Sequence, residues 1–436
     1  MLQNPSLYNP RVRPDKTLER RNVVLSQLAK YDFIKPEDLP KLQAEGLNLN
    51  YRVENQNTGA APYFREAIRR QVLDAIKELN KDRTEDQQLN LYTSGLRIYT
   101  SIDSRMQKYA EESVKEHMRA EQKLFYEHWR GRNPWVNEQM TEIKGFLKDA
   151  MKRTQRYREL MAAYNNDEFK VWEELKRPVK MTVFTYDGDK DTTLSPMDSL
   201  NYYKRILNCG MMAMDPTNGH VKAWIGGINY KYFKFDHISQ SKRQPGSTFK
   251  PFVYGAAIEN EIATPCDLFV DEPVTFGEED GLSGGTWTPQ NSGGGYSYSS
   301  MRLRRAMGLS VNTIAAKLMK QLGPEKVAEF AYKCGIESPL REVPSLCLGA
   351  SEVSLFEQVS GYSTMANGGE RIDPIVVLRI TDKVGNVLKE YSPLMKAVIK
   401  PETAFMMTYL LQGAIQEPGG TAQGLNRSSI VTGNEI

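Results

Sequence analysis

Ser247 and Lys250 stand three residues apart in Arg243-Gln244-Pro245-Gly246-Ser247-Thr248-Phe249-Lys250-Pro251-Phe252, a spacing that sets a hydroxyl and an amine on one face of a helix. A serine attacks a carbonyl only when a base takes its proton. An ordinary lysine, with a pKa near ~10.4, is protonated at neutral pH, so the fold has to bury it or set it near other cations before it can serve as that base. Pro245-Gly246 ends the preceding element, and Pro251 forbids a helix that begins much earlier than Ser247, because an interior proline costs ~3 kcal/mol. Ser247 is therefore expected at a helix N-terminus, where unpaired N–H groups and the helix dipole favour developing negative charge.

The spacing alone is weak evidence, since roughly two chance S-x-x-K matches are expected in a chain of this length. Ser239 and Lys242 form such a match, but Pro245-Gly246 follows directly and leaves no room for a helix to join them. A second polar group is Ser310-Val311-Asn312, set between helical stretches. It can project a hydroxyl and an amide into a cleft, and its bland alternative is helix capping.

The elements that must position these groups follow from periodicity and turn residues. Val23, Val24, Leu25 and Leu28 recur at helix spacing, residues 47–61 read as an Asn-rich extended link, and Pro62-Tyr63-Phe64 opens a helix with Ile68, Val72, Ile76 and Leu79 on one face. Gly95 to Ile102 alternates as a strand, and helix period returns through Met118. The charged stretch 119–200, with Trp129, Trp135 and Trp172 as packing anchors, reads as a helical insertion. Met211 to Met214, a turn at Asp215-Pro216-Thr217-Asn218-Gly219, and His220 to Ile225 form a hairpin. Gly281 to Gly295 is a loop, Ala306 to Leu322 is helical, and Gly368-Gly369 ends a helix that begins near Val353. Helices and strands mix without regular alternation, which predicts α+β.

Composition narrows the function by exclusion. With 436 residues the chain exceeds one ordinary domain. Its 57 basic and 54 acidic residues are interspersed, which argues against a nucleic-acid-binding surface. No run of about 18 apolar residues occurs, nor does an export signal open the sequence. Four histidines form no metal-like cluster, and Cys209, Cys266, Cys334 and Cys347 show no C-x-x-C spacing; Cys334 with Cys347 is one of several possible pairings.

Arg243 to Tyr254, followed about sixty residues on by Ser310-Val311-Asn312, resembles the transpeptidase domain of class A penicillin-binding proteins, a serine acyltransferase family. The likeness extends to Met214-Asp215-Pro216-Thr217-Asn218-Gly219 with Trp224-Ile225-Gly226-Gly227, to Trp287-Thr288-Pro289-Gln290-Asn291, to Leu348-Gly349-Ala350-Ser351-Glu352-Val353 and to Ala366-Asn367-Gly368-Gly369. Leu2 to Pro10 and Arg20 to Leu25 are similar to the tail of the glycosyltransferase domain of bifunctional members.

The resemblance implies a penicillin-binding-protein/β-lactamase-like fold, a central antiparallel sheet flanked by helices, truncated at the C-terminus. It implies residues 1–46 as glycosyltransferase tail, 47–94 as a link with a helix, and 95–436 as transpeptidase. Ser247 would attack the bond between the two D-alanines of a peptidoglycan stem peptide, and Lys250 would take its proton. Ser310 would relay a proton to the leaving amine, and Asn312 would bind the substrate backbone. β-Lactams would be covalent inhibitors, with no metal or organic cofactor. The glycosyltransferase glutamates and the membrane anchor would lie upstream, the enzyme working at the periplasmic face of the cytoplasmic membrane. A hydrolase with the same triads, carboxypeptidase or β-lactamase, and a non-catalytic peptide- or β-lactam-binding scaffold remain as rivals. The family's third motif, Lys-Thr-Gly or Lys-Ser-Gly, does not follow Asn312; Val431-Thr432-Gly433 lacks the lysine, and the resemblance places the motif beyond Ile436.

Overall fold

Among the described residues proline opens five α-helices, Pro14–Lys30, Pro62–Leu79, Pro196–Lys204, Pro324–Cys334 and Pro401–Gln416, because its missing N–H would be unpaired in the first turn anyway. The computed structural model describes residues 4, 6–50, 59–137, 139–282 and 284–427. Contacts divide the chain into two units, Met1–Gly59 and Ala60–Ile436.

In the first unit the Pro14–Lys30 helix is tied to the short Leu39–Ala44 helix. Arg21 Nη2 donates to the Gln43 carbonyl at 3.0 Å, and Gln43 Nε2 donates to the Asn22 carbonyl at 3.1 Å. Val23 and Val24 of the helix are exposed.

The second unit has a sheet half and a helical half. The Pro62–Leu79 helix buries Tyr63, Phe64, Ile68, Val72 and Ile76 against Val221, Trp224, Val377 and Ile380 of the sheets, the i, i+4, i+8 stripe that its sequence predicts. Strand Arg97–Thr100 pairs antiparallel with Val377–Thr381, which pairs antiparallel with Val387–Glu390. The hairpin Met211–Met214 with Val221–Ile225 has Met211 opposite Ile225 and Ala213 opposite Ala223. A parallel bridge between His220 and Ile375 joins the hairpin to the segment before Val377–Thr381, and the Ser101 hydroxyl lies 2.8 Å from the Val221 carbonyl and 2.7 Å from that of Ile375. Alternation sends Trp224 toward Phe64 and Ala223 with Ile225 toward Ala110 of the Ser104–His128 helix.

Within 119–200, helices Phe146–Lys152, Gln155–Ala163 and Glu168–Lys176 close on Met151, Tyr157, Val171 and Leu175, with Trp172 against them. Trp135 stacks on Phe146 at 5.0 Å. This stretch also holds an antiparallel hairpin, Val179–Thr185 with Gly188–Leu194, that a purely helical reading does not contain.

The helical half surrounds Lys250–Glu259, nine of whose ten residues are buried. Phe252 is fully buried and presses on Gly361 of the Leu355–Ala366 helix, where a Cβ would meet its ring at 2.6 Å. The helical stretch Ala306 to Leu322 is two helices, Leu303–Gly308 and Asn312–Leu322, and the break between them carries Ser310, as its placement between helical stretches anticipates. All four cysteines are free thiols, Cys334 and Cys347 both buried. Among the described residues no helix is long and apolar enough to cross a membrane.

Candidate active site

Pro251 decides the local geometry around Ser247. It has no N–H to offer the Ser247 carbonyl, which accepts instead from the Lys250 N–H, so the chain makes a 3-10 turn over Gly246–Phe249 before the α-helix begins at Lys250. Ser247 lies in that turn, one step before the expected α-helical N-terminus, and is exposed. The turn is fastened from two sides. Gly246 N–H meets the Gly349 carbonyl at 3.4 Å, and a Cβ at Gly349, whose φ is +73°, would run into the Gly246 backbone, so this approach requires glycine. The Thr248 carbonyl accepts from Gln358 Nε2 at 2.7 Å and from Tyr362 OH at 2.8 Å.

Lys250 is 1% exposed. Its Nζ lies 2.5 Å from the Ser310 carbonyl, 3.0 Å from Ser310 Oγ and 2.6 Å from Asn312 Oδ1. The fold thus gathers three residues of the two motifs around one amine, across 60 and 62 positions of sequence. Burial pulls the Lys250 pKa down to about 8, while the nearby Cys347 thiol acts weakly the other way. Cys347 is itself pushed up to about 12 by burial, so it stays a thiol at neutral pH. Of the two ways to activate the lysine, desolvation is the one used here.

Ser310 reaches the amine because of an uncommon backbone. Its φ is +56°. Its N–H donates to the Met307 carbonyl and the Val311 N–H to that of Ala306, both at 3.0 Å, the two bonds of a Schellman ending in which Ser310 occupies the left-handed position that glycine usually takes. A side chain there leaves the helix end sideways, toward Lys250.

Asn312 is the first residue of its helix, whose N-cap, Val311, has no side-chain cap to give. Asn291 supplies one from another part of the chain, accepting the N–H of Asn312 at 2.9 Å and that of Thr313 at 3.4 Å on Oδ1. Asn312 Nδ2 donates to the Gln290 carbonyl at 2.7 Å, which turns its Oδ1 to the lysine. Asp271, 4% exposed, accepts from Thr313 Oγ1 at 2.6 Å and Asn291 Nδ2 at 2.8 Å. The sequence marks Asn291 and Asn312 but not the bond between them, and Asp271 escapes notice altogether, since a lone aspartate after a short strand carries no spacing signal.

The alternative pair is not assembled. Ser239 Oγ donates to Asp236 Oδ2 at 3.3 Å, and Lys242 pairs in a short strand opposite Ser354. Val431-Thr432-Gly433 lies outside the described residues. Among the described residues no cluster of His, Cys, Asp and Glu could hold a metal ion.

Residues 209–433 match the family described as penicillin binding protein transpeptidase domain, and residues 130–207 match the penicillin-binding protein middle domain. The chain belongs to the penicillin-binding protein transpeptidase family. The middle-domain match spans the helical region and its hairpin; the transpeptidase match contains all four candidate site residues. Over its whole length the chain is 28% identical to penicillin-binding protein 2D of Bacillus subtilis, covering 48% of that protein. It is 26% identical to penicillin-binding protein 1A of Escherichia coli, over 89% of this chain and 47% of that one. The chain thus spans about half the length of these curated relatives. The crystal structure of penicillin-binding protein 1A from Haemophilus influenzae superposes with a TM-score of 0.64 at 22% identity, over 97% of this chain and 68% of that one, which establishes the shared transpeptidase fold.

Proposed function

We propose that this chain carries a serine-type D,D-transpeptidase that crosslinks peptidoglycan stem peptides through an acyl-enzyme and is acylated by penicillins. The carrying observation is the buried Lys250 amine, drawn down to about 8, bonded to Ser310 and Asn312 and one turn from the exposed Ser247. Neutral Lys250 takes the Ser247 proton as Oγ bonds to the carbonyl carbon between the two D-alanines. The C–N bond then breaks, and the proton passes from Lys250 by way of Ser310 Oγ to the departing amine of D-alanine. The Asn312 amide bonds the substrate backbone. An amine from a second stem attacks the ester, Ser247 leaves with a proton, and the crosslink is made. A β-lactam enters by the same first step but keeps its leaving nitrogen tethered, so the ester persists.

The family match supports the transpeptidase class, and the burial of the lysine supports its role as base. Residues 1–46 belong to this proposal as a glycosyltransferase tail, 47–94 as the link and 95–436 as the transpeptidase, working at the periplasmic face of the cytoplasmic membrane. Fluorescent penicillin labelling with mapping of the modified peptide tests the acyl-enzyme. Products from a D-Ala-D-Ala peptide with and without an acceptor amine separate transfer from hydrolysis; absence of any covalent adduct favours a binding scaffold.

A further inference from the structure

We propose that Asp271 and Asn291 are positioning residues that fix which way the Asn312 amide faces and thereby hold the Lys250 amine in its reactive place. The inference rests on the acyl-transfer reading above and adds to it two groups that touch neither the nucleophile nor its base.

Amide orientation is the point at issue, because Asn312 can present either a carbonyl or an N–H2 to Lys250, and only the carbonyl accepts from an amine. Three bonds remove the choice. Asp271 is acceptor-only, so the Asn291 side chain must turn its N–H2 to it, at 2.8 Å. That leaves Asn291 Oδ1 facing the start of the Asn312–Leu322 helix, where it accepts the Asn312 N–H at 2.9 Å. The same loop offers the Gln290 carbonyl to Asn312 Nδ2 at 2.7 Å, which leaves only Oδ1 for Lys250, at 2.6 Å. Asp271 orients the Asn291 amide, Asn291 ties its loop to the helix start through backbone N–H groups, and the adjoining Gln290 carbonyl orients the Asn312 amide.

Asp271 is anchored on every side. Its second oxygen accepts from the Ser297 N–H and Ser297 Oγ, both at 2.8 Å, and Thr313 Oγ1 binds the first at 2.6 Å. Burial pushes its carboxyl up, but the bonds from Thr313, Ser297 and Asn291 outweigh this and leave it below the usual carboxylate range. It is therefore charged and acceptor-only throughout the pH range in which the lysine works. The arrangement also caps a helix whose own N-cap residue is a valine, which a purely structural role would explain; the orientation of Asn312 is what such a role leaves unexplained.

The test is a charge exchange in the intact protein, read by the second-order rate constant of fluorescent penicillin labelling. Asp271→Asn alone presents an N–H2 to groups that are all donors in their present orientation, and Asn291→Asp alone sets two carboxylates at hydrogen-bond distance. Each is expected to slow acylation by ~10- to 100-fold, the scale of a displaced catalytic group. In the double variant the new amide at 271 donates to the new carboxylate at 291 and to Thr313 Oγ1, while its carbonyl still accepts from Ser297. The bonds that join 271, 291, 297 and 313 are restored, and only the longer one from Asn291 Nδ2 to the Gly295 carbonyl, 3.3 Å, is lost, so the rate should return to within about threefold of the native value, a non-additive result that independent sites do not give.

The pH profile separates positioning from stability. Among the described residues Cys347 is the other titratable group that acts on Lys250, and it is unchanged in all variants. Loss of the Asn312 carbonyl as acceptor disfavours the ammonium, so the acid limb of the acylation profile should move to lower pH in each single variant and return in the double. Asn291→Ala, which keeps no orienting group, should show the same limb shift, with folded protein confirmed by its unfolding midpoint. Native rates in folded single variants, an unmoved limb, or a double variant as slow as the singles would each overturn the proposal. If the native protein is not labelled at all, or is labelled equally after Ser247→Ala, the acyl-transfer reading fails instead.

Discussion

Lys250 and Ser310 meet twice: the lysine Nζ lies 2.5 Å from the serine carbonyl and 3.0 Å from its hydroxyl. The carbonyl contact fixes the amine against the helix break, and the hydroxyl contact opens a path for a proton away from it. Both depend on the left-handed backbone of Ser310, because in an ordinary helical conformation the chain would continue past the site without turning its side chain inward.

That backbone can be tested by separating stability from activity. Ser310→Gly relieves the left-handed strain, whereas Ser310→Ala retains it and loses the hydroxyl bond. The glycine variant should be more stable than the alanine variant by about 1 kcal/mol in urea unfolding, while both acylate slowly. An alanine variant as stable as the glycine one would mean that the backbone at 310 is unstrained.

Charge alone should not replace the base. Lys250→Arg keeps a cation but cannot give up its proton, and its larger group does not fit a position that is 1% exposed. The arginine variant should acylate nearly as slowly as Lys250→Ala, by a loss on the order of 100- to 10,000-fold. A rate near native for the arginine variant would make Lys250 a cation rather than a base.

A buried lysine also marks the pH dependence of stability. Its folded pKa, about 8, lies below the ordinary lysine value of 10.5, so between these values the unfolded chain binds more protons and stability rises with pH. The cost of burying the charge is fully present below about 8 and is relieved toward 10.5. Relative to Lys250→Met, the native protein should gain up to ~1.4 kcal/mol per pH unit across that window. Differencing against the variant cancels the tyrosines and the other thiols, and parallel stability curves would contradict the burial account.

Glu357 should matter for folding through the helix that holds the Thr248 carbonyl. Its carboxylate accepts from the N–H groups of Glu337, Ser338 and Ser354 and from the hydroxyls of Ser338 and Ser354. Glu357→Ala would leave those buried donors unpaired at ~1–3 kcal/mol each. A destabilisation of at least about 3 kcal/mol is expected in chemical unfolding; a loss under about 1 kcal/mol would mean that water takes over the donors.

The sequence carried the site where local rules suffice. Pro251 forces the chain to begin a helix next to Ser247, Pro245-Gly246 dissociates Ser239 from Lys242, and the hairpin from Met211 to Ile225 follows from its turn. It set Ser310-Val311-Asn312 between helical stretches but did not mark the left-handed backbone of Ser310, because the Schellman ending there uses serine in place of glycine. Nor did it disclose the hairpin at 179–194, since the charged residues of Gly188–Leu194 mask a strand that the Asp187-Gly188 turn could have signalled. Asp271, Cys347 and the cap from Asn291 depend on contacts between segments far apart in the chain. No spacing rule reaches those.

The most direct measurement is labelling of the intact protein with fluorescent penicillin in three forms: native, Ser247→Ala and Ser239→Ala. Covalent label is expected on the native protein and on the Ser239 variant at the same rate, with the adduct mapped to the peptide containing Ser247, and none on the Ser247 variant. Label that persists after Ser247→Ala, or that is lost equally from both variants, would contradict the assignment of Ser247 as the acylated nucleophile.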